Sequence, residues 1–325
     1  MIEQTKTIIG LYNINEKEGM DFKMDINWYP GHMAKTRRQI TEDLKLVDIV
    51  IELLDARIPK SSQNPDIANI TKGKQKLIVL NKCDLADEFQ NKLWVNYFEN
   101  QGIPAVLTDA NSGKGIDKCI KKIEEIMEKK MEQQAQKGRT GRKIRAMIVG
   151  IPNVGKSSLI NRIAKKSTAE VANRPGVTRQ KQWIHINDKI ELLDTPGVLW
   201  PKFESEEVAL HLAFTGSIKD TILEPIEIAY HLTKYLLDNY MDNLCNRYNL
   251  EKEQVKEVLK RDEPENENIY QVMLDIGKKR GCIVSGGNID EERTAKIILD
   301  DFRSGKLGRI TLEKQKYEEQ LNIWK

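Results

Sequence analysis

Along this chain the spacing of apolar residues changes character twice. The first 23 residues are polar with no sustained period; 1–23 reads as a flexible extension, or as a start placed too early, with Met24 as the true first residue. Met33, Ile40, Leu44 and Val47 then share one helical stripe with Lys35, Arg37 and Arg38 off it, which predicts an amphipathic helix over 33–46. Three short, largely apolar runs follow at 48–55, 77–80 and 103–107, with helical patterns between them, which predicts buried parallel strands in βαβ units. A charged helix over 115–137 and a Gly- and Arg-containing linker over 136–143 close the first half. The run 144–149 predicts another buried strand, 156–165 a helix, and 182–186 with 189–194 a hairpin turning at Asn187 and Asp188. After Gly197 the strand signals stop, and 206–214, 225–240, 251–260, 268–279 and 290–302 carry helical periods.

The expected architecture is therefore an α/β domain over 24–204 followed by an all-α domain over 205–325, and 325 residues suffice for two cores. Charge alters this picture little. The 52 Lys and Arg nearly balance the 49 Asp and Glu, so the net +3 excludes a histone-like polycation, and nucleic-acid contact would have to come from local patches. Cys83, Cys119, Cys245 and Cys282 lie far apart, without zinc-ligand or disulfide-framework spacing. The N-terminal stretch is acidic and lacks a long apolar core, so neither a signal peptide nor a membrane span is expected, and the expectation is a soluble cytoplasmic protein.

The chemistry is concentrated at strand ends. Gly150-Ile151-Pro152-Asn153-Val154-Gly155-Lys156-Ser157 fits G-x-x-x-x-G-K-[ST] between a strand and a helix. There backbone N–H groups, through Val154, Gly155 and Ser158, can wrap phosphates; Lys156 reaches the β- and γ-oxygens, and the Ser157 hydroxyl ligates Mg²⁺. Asn81-Lys82-Cys83-Asp84 decides the base: the Asp84 carboxylate can accept from N1–H and the N2 amine of guanine, a donor pair adenine lacks. Thr108-Asp109-Ala110, after the third strand, stands where a backbone N–H would approach guanine O6, although a plain strand-end turn explains it nearly as well. Asp194-Thr195-Pro196-Gly197 fits D-x-x-G, in which Asp194 holds a Mg²⁺ water and the Gly197 amide senses the γ-phosphate; Thr178 offers a second Mg²⁺ ligand. These elements imply a GTP phosphohydrolase. Their order is base motifs first, then the phosphate loop, then the switches.

That order, with Trp28-Tyr29-Pro30-Gly31-His32-Met33 and Asp55-Ala56-Arg57-Ile58-Pro59, resembles the circularly permuted GTPases of the ribosome biogenesis GTPase A family, and the similarity extends through Gly216-Ser217-Ile218-Lys219-Asp220 and Asp301-Phe302-Arg303-Ser304-Gly305. The resemblance implies a circularly permuted Ras-like P-loop GTPase domain with a C-terminal all-α, RNA-binding-like domain. It also implies late assembly of the large ribosomal subunit, with rRNA and ribosomal proteins as partners, turnover stimulated by the subunit, and a monomer away from it. The permutation connects the second switch directly to the helical domain, and Val198 after Gly197 leaves no Gln to orient the attacking water. The helix at 33–46 takes the place of a second-switch helix, which brings His32 toward the γ-phosphate as the group that orients or deprotonates water; a structural histidine is the plainer reading. Asn153 matches the P-loop asparagine that ligates K⁺ in potassium-stimulated GTPases, or else it bonds loop backbone. Basic residues at 35–38, 139–145, 278–280 and 303–309 are the candidate RNA contacts, each also explicable as a solvated face. A P-loop small-molecule kinase would leave Asn81-Lys82-Cys83-Asp84 unexplained, whereas a GTP-controlled adaptor with negligible hydrolysis fits the missing Gln.

Overall fold

The computed structural model describes residues 33–138, 141–167, 183–195, 197, 199–200, 203, 205–218 and 224–315. His32 and Thr178 lie outside the described residues, as does the extension 1–23.

The apolar runs form the predicted sheet. Strands β1 (Ile49–Asp55), β2 (Gln75–Asn81), β3 (Ala105–Leu107), β4 (Ile144–Gly150), β5 (Trp183–His185) and β6 (Ile190–Asp194) lie in the order β3-β2-β1-β4-β6-β5. All neighbours are parallel except β5, which pairs antiparallel with β6 as the hairpin signal predicts. All seven residues of β1 are buried, because parallel neighbours flank it and helices cover both faces. The chain lays β2 and β3 outward on one side of β1, then returns to place β4 on the other. Connections therefore diverge between β1 and β4, and at such a point the loops leaving the carboxyl ends of the strands open a crevice.

Helix α1 (Met33–Asp43) is shorter than its periodicity suggests, because the chain tightens into a 3₁₀ turn at Leu44–Leu46 before Val47 extends into β1. Its stripe is nonetheless used: Ile40, Leu44 and Val47 pack on Val50, Met147, Val149 and Leu193 of β1, β4 and β6. Helices α2 (Pro65–Ile70) and α3 (Glu88–Asn100) start where Asn64 and Asp87 side chains accept backbone N–H groups. Helices α4 (Ile116–Gln136) and α5 (Lys156–Ser167) complete this half.

Beyond Gly197 the described regular elements are helical: α6 (Glu206–Phe214), α7 (Pro225–Tyr248), α8 (Lys252–Leu259), α9 (Glu265–Lys279) and α10 (Glu291–Arg303). Helix α7 runs past the expected end near 240 because the chain kinks at Tyr240 (φ −144°) and resumes its helix. The segment after α10 was not expected to be structured against the sheet half. It returns there: Ile310 N–H donates to Leu85 O and Leu312 N–H to Arg57 O, both at 2.9 Å. Tyr235 Oη donates to Thr311 O and Leu312 O from the helical side, so the segment is held from both directions.

Candidate nucleotide site

Because the central strands are parallel, their motif-bearing ends fall on one edge. Asp55 is in register with Asn81, and Leu53 with Gly150, which sets the N-K-C-D turn beside the P-loop. A cleft of about 330 Å³ opens there, lined by Asn81, Lys82, Asp109, Ala110, Asn111, Asn153, Gly155, Lys156, Ser157 and Ser158.

One side chain joins three of the motifs. Asn81 Nδ2 donates to Val154 O at 2.9 Å, while its Oδ1 accepts from Thr108 Oγ1 at 3.2 Å and from Ala110 N–H at 3.1 Å. Gly155 follows from this arrangement: its φ is +99°, and a Cβ there would collide with the Asn81 amide. Lys82, with φ 59°, reaches across to donate to Asn153 O at 2.7 Å and pairs with Asp55 at 2.9 Å. Burial alone would raise the Asp55 carboxyl, but Arg57 and Lys82 hold it well below the usual carboxylate range. Asp109 shows the same contest: burial raises it, and hydrogen bonds from Ser112 and from the Asn111 and Ser112 backbone lower it further.

The phosphate side is assembled from β4 and β6. Lys156 Nζ lies 3.3 Å from Gly150 O and 3.4 Å from Ile151 O, long bonds that phosphate oxygens can replace. A Cβ on Gly197 would lie 2.7 Å from Lys156 Nζ and 3.1 Å from Pro152 Cα, so D-x-x-G meets the P-loop at close range and a side chain there would displace the end of the lysine. Ser157 lines the cleft, and Asp194 ends β6 in register with Ile148, two residues before Gly150. The Ser157 hydroxyl, a hard oxygen donor at the cleft, suits Mg²⁺, which is held by few protein ligands together with phosphate oxygens and water.

Several expectations change. Thr108 is fully buried and its N–H donates to Leu80 O; Asp109 N–H donates to Lys114 O and Ala110 N–H to Asn81. All three amides of this element thus have acceptors within the protein and brace the cleft wall. Asp84 is half-buried beside the cleft rather than in its wall, and its carbonyl accepts from Arg309 Nε at 3.1 Å. Asn153 does bond backbone, but in the helical half: Nδ2 donates to Gly216 O at 2.6 Å. In the basic stretch at 303–309, Arg303 caps the carbonyls of Ala213 and Phe214, and Arg309, still partly exposed, also pairs with Glu88. Arg142 and Arg145 likewise pair with Asp48 and Glu191. Asp55 and Arg57 had no role of their own in the sequence reading; the available signal was a charged pair at the end of a buried strand.

Similarity to known proteins agrees with this geometry. A profile described as 50S ribosome-binding GTPase matches 145–273, and one described as RsgA GTPase matches 67–204. Ribosome biogenesis GTPase A of Bacillus licheniformis is 46% identical over 291 residues, covering 90% of this chain and 99% of that protein. This chain belongs to the ribosome biogenesis GTPase A family. Mitochondrial ribosome-associated GTPase 1 of Mus musculus is 34% identical, over 88% of this chain and 90% of its own length. A GDP-bound structure of TM YlqF superposes with a TM-score of 0.60 at 27% identity, covering 85% of this chain and 99% of that one; a GNP-bound YlqF from T. maritima gives 0.58. As a ribosome biogenesis GTPase A family member, the chain is a GTP hydrolase of ribosome assembly with a permuted P-loop fold. No helix among the described residues is long and apolar enough to cross a membrane.

Proposed function

We propose that this GTPase acts in the cytoplasm on the precursor of the large ribosomal subunit, late in its assembly, and that the subunit stimulates hydrolysis. The observation that carries the reading is the bond from Asn153 in the P-loop to Gly216 in the helical half, which gives that half a direct contact with the phosphate loop. A γ-phosphate drawn in by Lys156 and Gly197 then favours one placement of the helical half over another, and rRNA or ribosomal proteins that bind this placement respond to nucleotide state. The division into domains at 204/205, and a monomer away from the ribosome, belong to the same reading.

Within the site, Asp84 reads guanine and the P-loop amides of 153–158 wrap the phosphates. Ser157, Thr178 and Asp194 would hold Mg²⁺, and the ion would supply charge neutralisation toward the phosphates. No Gln follows Gly197, so the enzyme is slow alone, and His32, which precedes α1 in the sequence, positions the attacking water when the subunit is bound. The packing of α1 on β1, β4 and β6 supports this, since it anchors the helix beside the strands that carry the phosphate motifs. Asn153 Oδ1 remains available to K⁺ while its Nδ2 is bonded.

GTP turnover measured with and without purified large subunits tests the reading. It requires a marked rise with subunits that His32→Ala abolishes; unchanged turnover in the parent would refute it. The missing Gln also favours a second reading, an adaptor that binds GTP and barely hydrolyses it, which predicts GTP-dependent co-sedimentation with no stimulated turnover.

A further inference from the structure

The Asp55 side chain is 1% exposed and sits where β1, the guanine motif, the P-loop and the helical half converge. Its Oδ1 accepts from Arg57 N–H and Nε at 3.0 Å, and its Oδ2 takes Arg57 Nη2 at 2.8 Å and Lys82 Nζ at 2.9 Å. Arg57, equally buried, stacks over the Phe302 ring of α10 at 5.1 Å, and its Nη1 has no hydrogen-bond partner. The other end of this chain of contacts is Lys82 Nζ on Asn153 O in the P-loop.

We propose that Asp55 is a positioning residue for nucleotide binding: its carboxylate holds the Lys82 ammonium against the P-loop carbonyl of Asn153, and Arg57 makes that hold depend on the docked helical half. A single neutral carbonyl is a weak anchor for a lysine whose long stem can swing into water. The added carboxylate supplies a charge-assisted partner and removes that alternative. Asp55 cannot move freely to do so, because both its oxygens are engaged by a guanidinium packed on Phe302. Loss of the Phe302 face would loosen Arg57, then Asp55, then Lys82, and the P-loop would lose its brace from the guanine motif. The inference rests on the nucleotide site alone and is independent of the ribosomal partner.

A structural role for Asp55 would also make its loss harmful, so the test is a double-mutant cycle on affinity. Dissociation constants for N-methylanthraniloyl-GDP are measured for the parent, Asp55→Asn, Lys82→Met and the double variant. Each single change is expected to weaken binding about tenfold, with the double no weaker than the worse single, because both remove one interaction. Parent-like affinity in Asp55→Asn, or effects that multiply in the double variant, would overturn the proposal. Should Asp55→Asn not fold, Phe302→Leu serves instead: it should weaken GDP binding about threefold in the parent and have no further effect in Lys82→Met. Parent-like affinity in Phe302→Leu, or an equal loss in both backgrounds, contradicts the proposed link.

Discussion

On the base side of the cleft the Asn81 amide donates once and accepts twice inside the protein, and the amides of Thr108, Asp109 and Ala110 all have internal acceptors. On the phosphate side Lys156 reaches carbonyls at 3.3 and 3.4 Å, and Gly197 approaches it with no room for a methyl group. The first wall is joined by internal hydrogen bonds, and the second brings the P-loop lysine and the D-x-x-G glycine together. The difference has a physical basis. A guanine ring is planar and rigid, so a prebuilt wall loses nothing by being fixed, whereas the γ-phosphate is present in only one nucleotide state and its contacts must be able to form and lapse. On the proposed reading, specificity and switching reside in opposite walls of one cleft.

Substitutions that strike one wall and spare the other break or sharpen this contrast. The largest effect belongs to Asp84→Asn, which should cost about a thousandfold in GTP affinity and shift preference to xanthosine triphosphate, leaving turnover of the bound nucleotide near the parent value. Competition binding between the two nucleotides checks it, and persistent GTP preference would remove Asp84 from the base-reading role. Gly197→Ala comes next. Its Cβ would press on Lys156 Nζ at 2.7 Å, so GTP turnover should fall about a hundredfold while GDP affinity stays within about threefold. Comparable losses in both would mean that the two walls are not separable. Asn81→Ala is smallest in free energy yet broadest in reach: by stranding Val154 O and Ala110 N–H it should lower unfolding stability by about 2 kcal/mol and weaken GDP and GTP equally, read by urea titration and equilibrium binding.

The two walls were not equally legible in the sequence. Phosphate motifs are read from spacing, since G-x-x-x-x-G-K-[ST] between strand and helix specifies its own geometry, and Lys156 and Ser157 line the cleft together. The base wall depends on register between strands remote in sequence. That Asn81 serves as the hub for Val154, Thr108 and Ala110 cannot be read along one strand, and neither can the pairing of Asp55 with Lys82. Helical periods were visible throughout the last third, but the kink at Tyr240 and the return of 310–312 to Leu85 and Arg57 were not. Those features are set by tertiary hydrogen bonds from Tyr235 and Tyr240, which leave no period in the sequence. For the same reason the internal carbonyls that Arg303 and Arg309 serve could not be read from the sequence.

Amide hydrogen exchange on the nucleotide-free, GDP-bound and GTP-analogue-bound protein reports on both walls at once. The account predicts that the amides of Cys83, Thr108 and Ala110, which already donate to Thr108 O, Leu80 O and Asn81, exchange slowly before any nucleotide is added and change little afterwards. Amides from Asn153 to Ser157 should gain protection on GDP binding, and that of Gly197 only with the GTP analogue. Rapid exchange at Cys83, Thr108 and Ala110 in the free protein, with protection arriving together on both walls, would contradict a base wall built in advance.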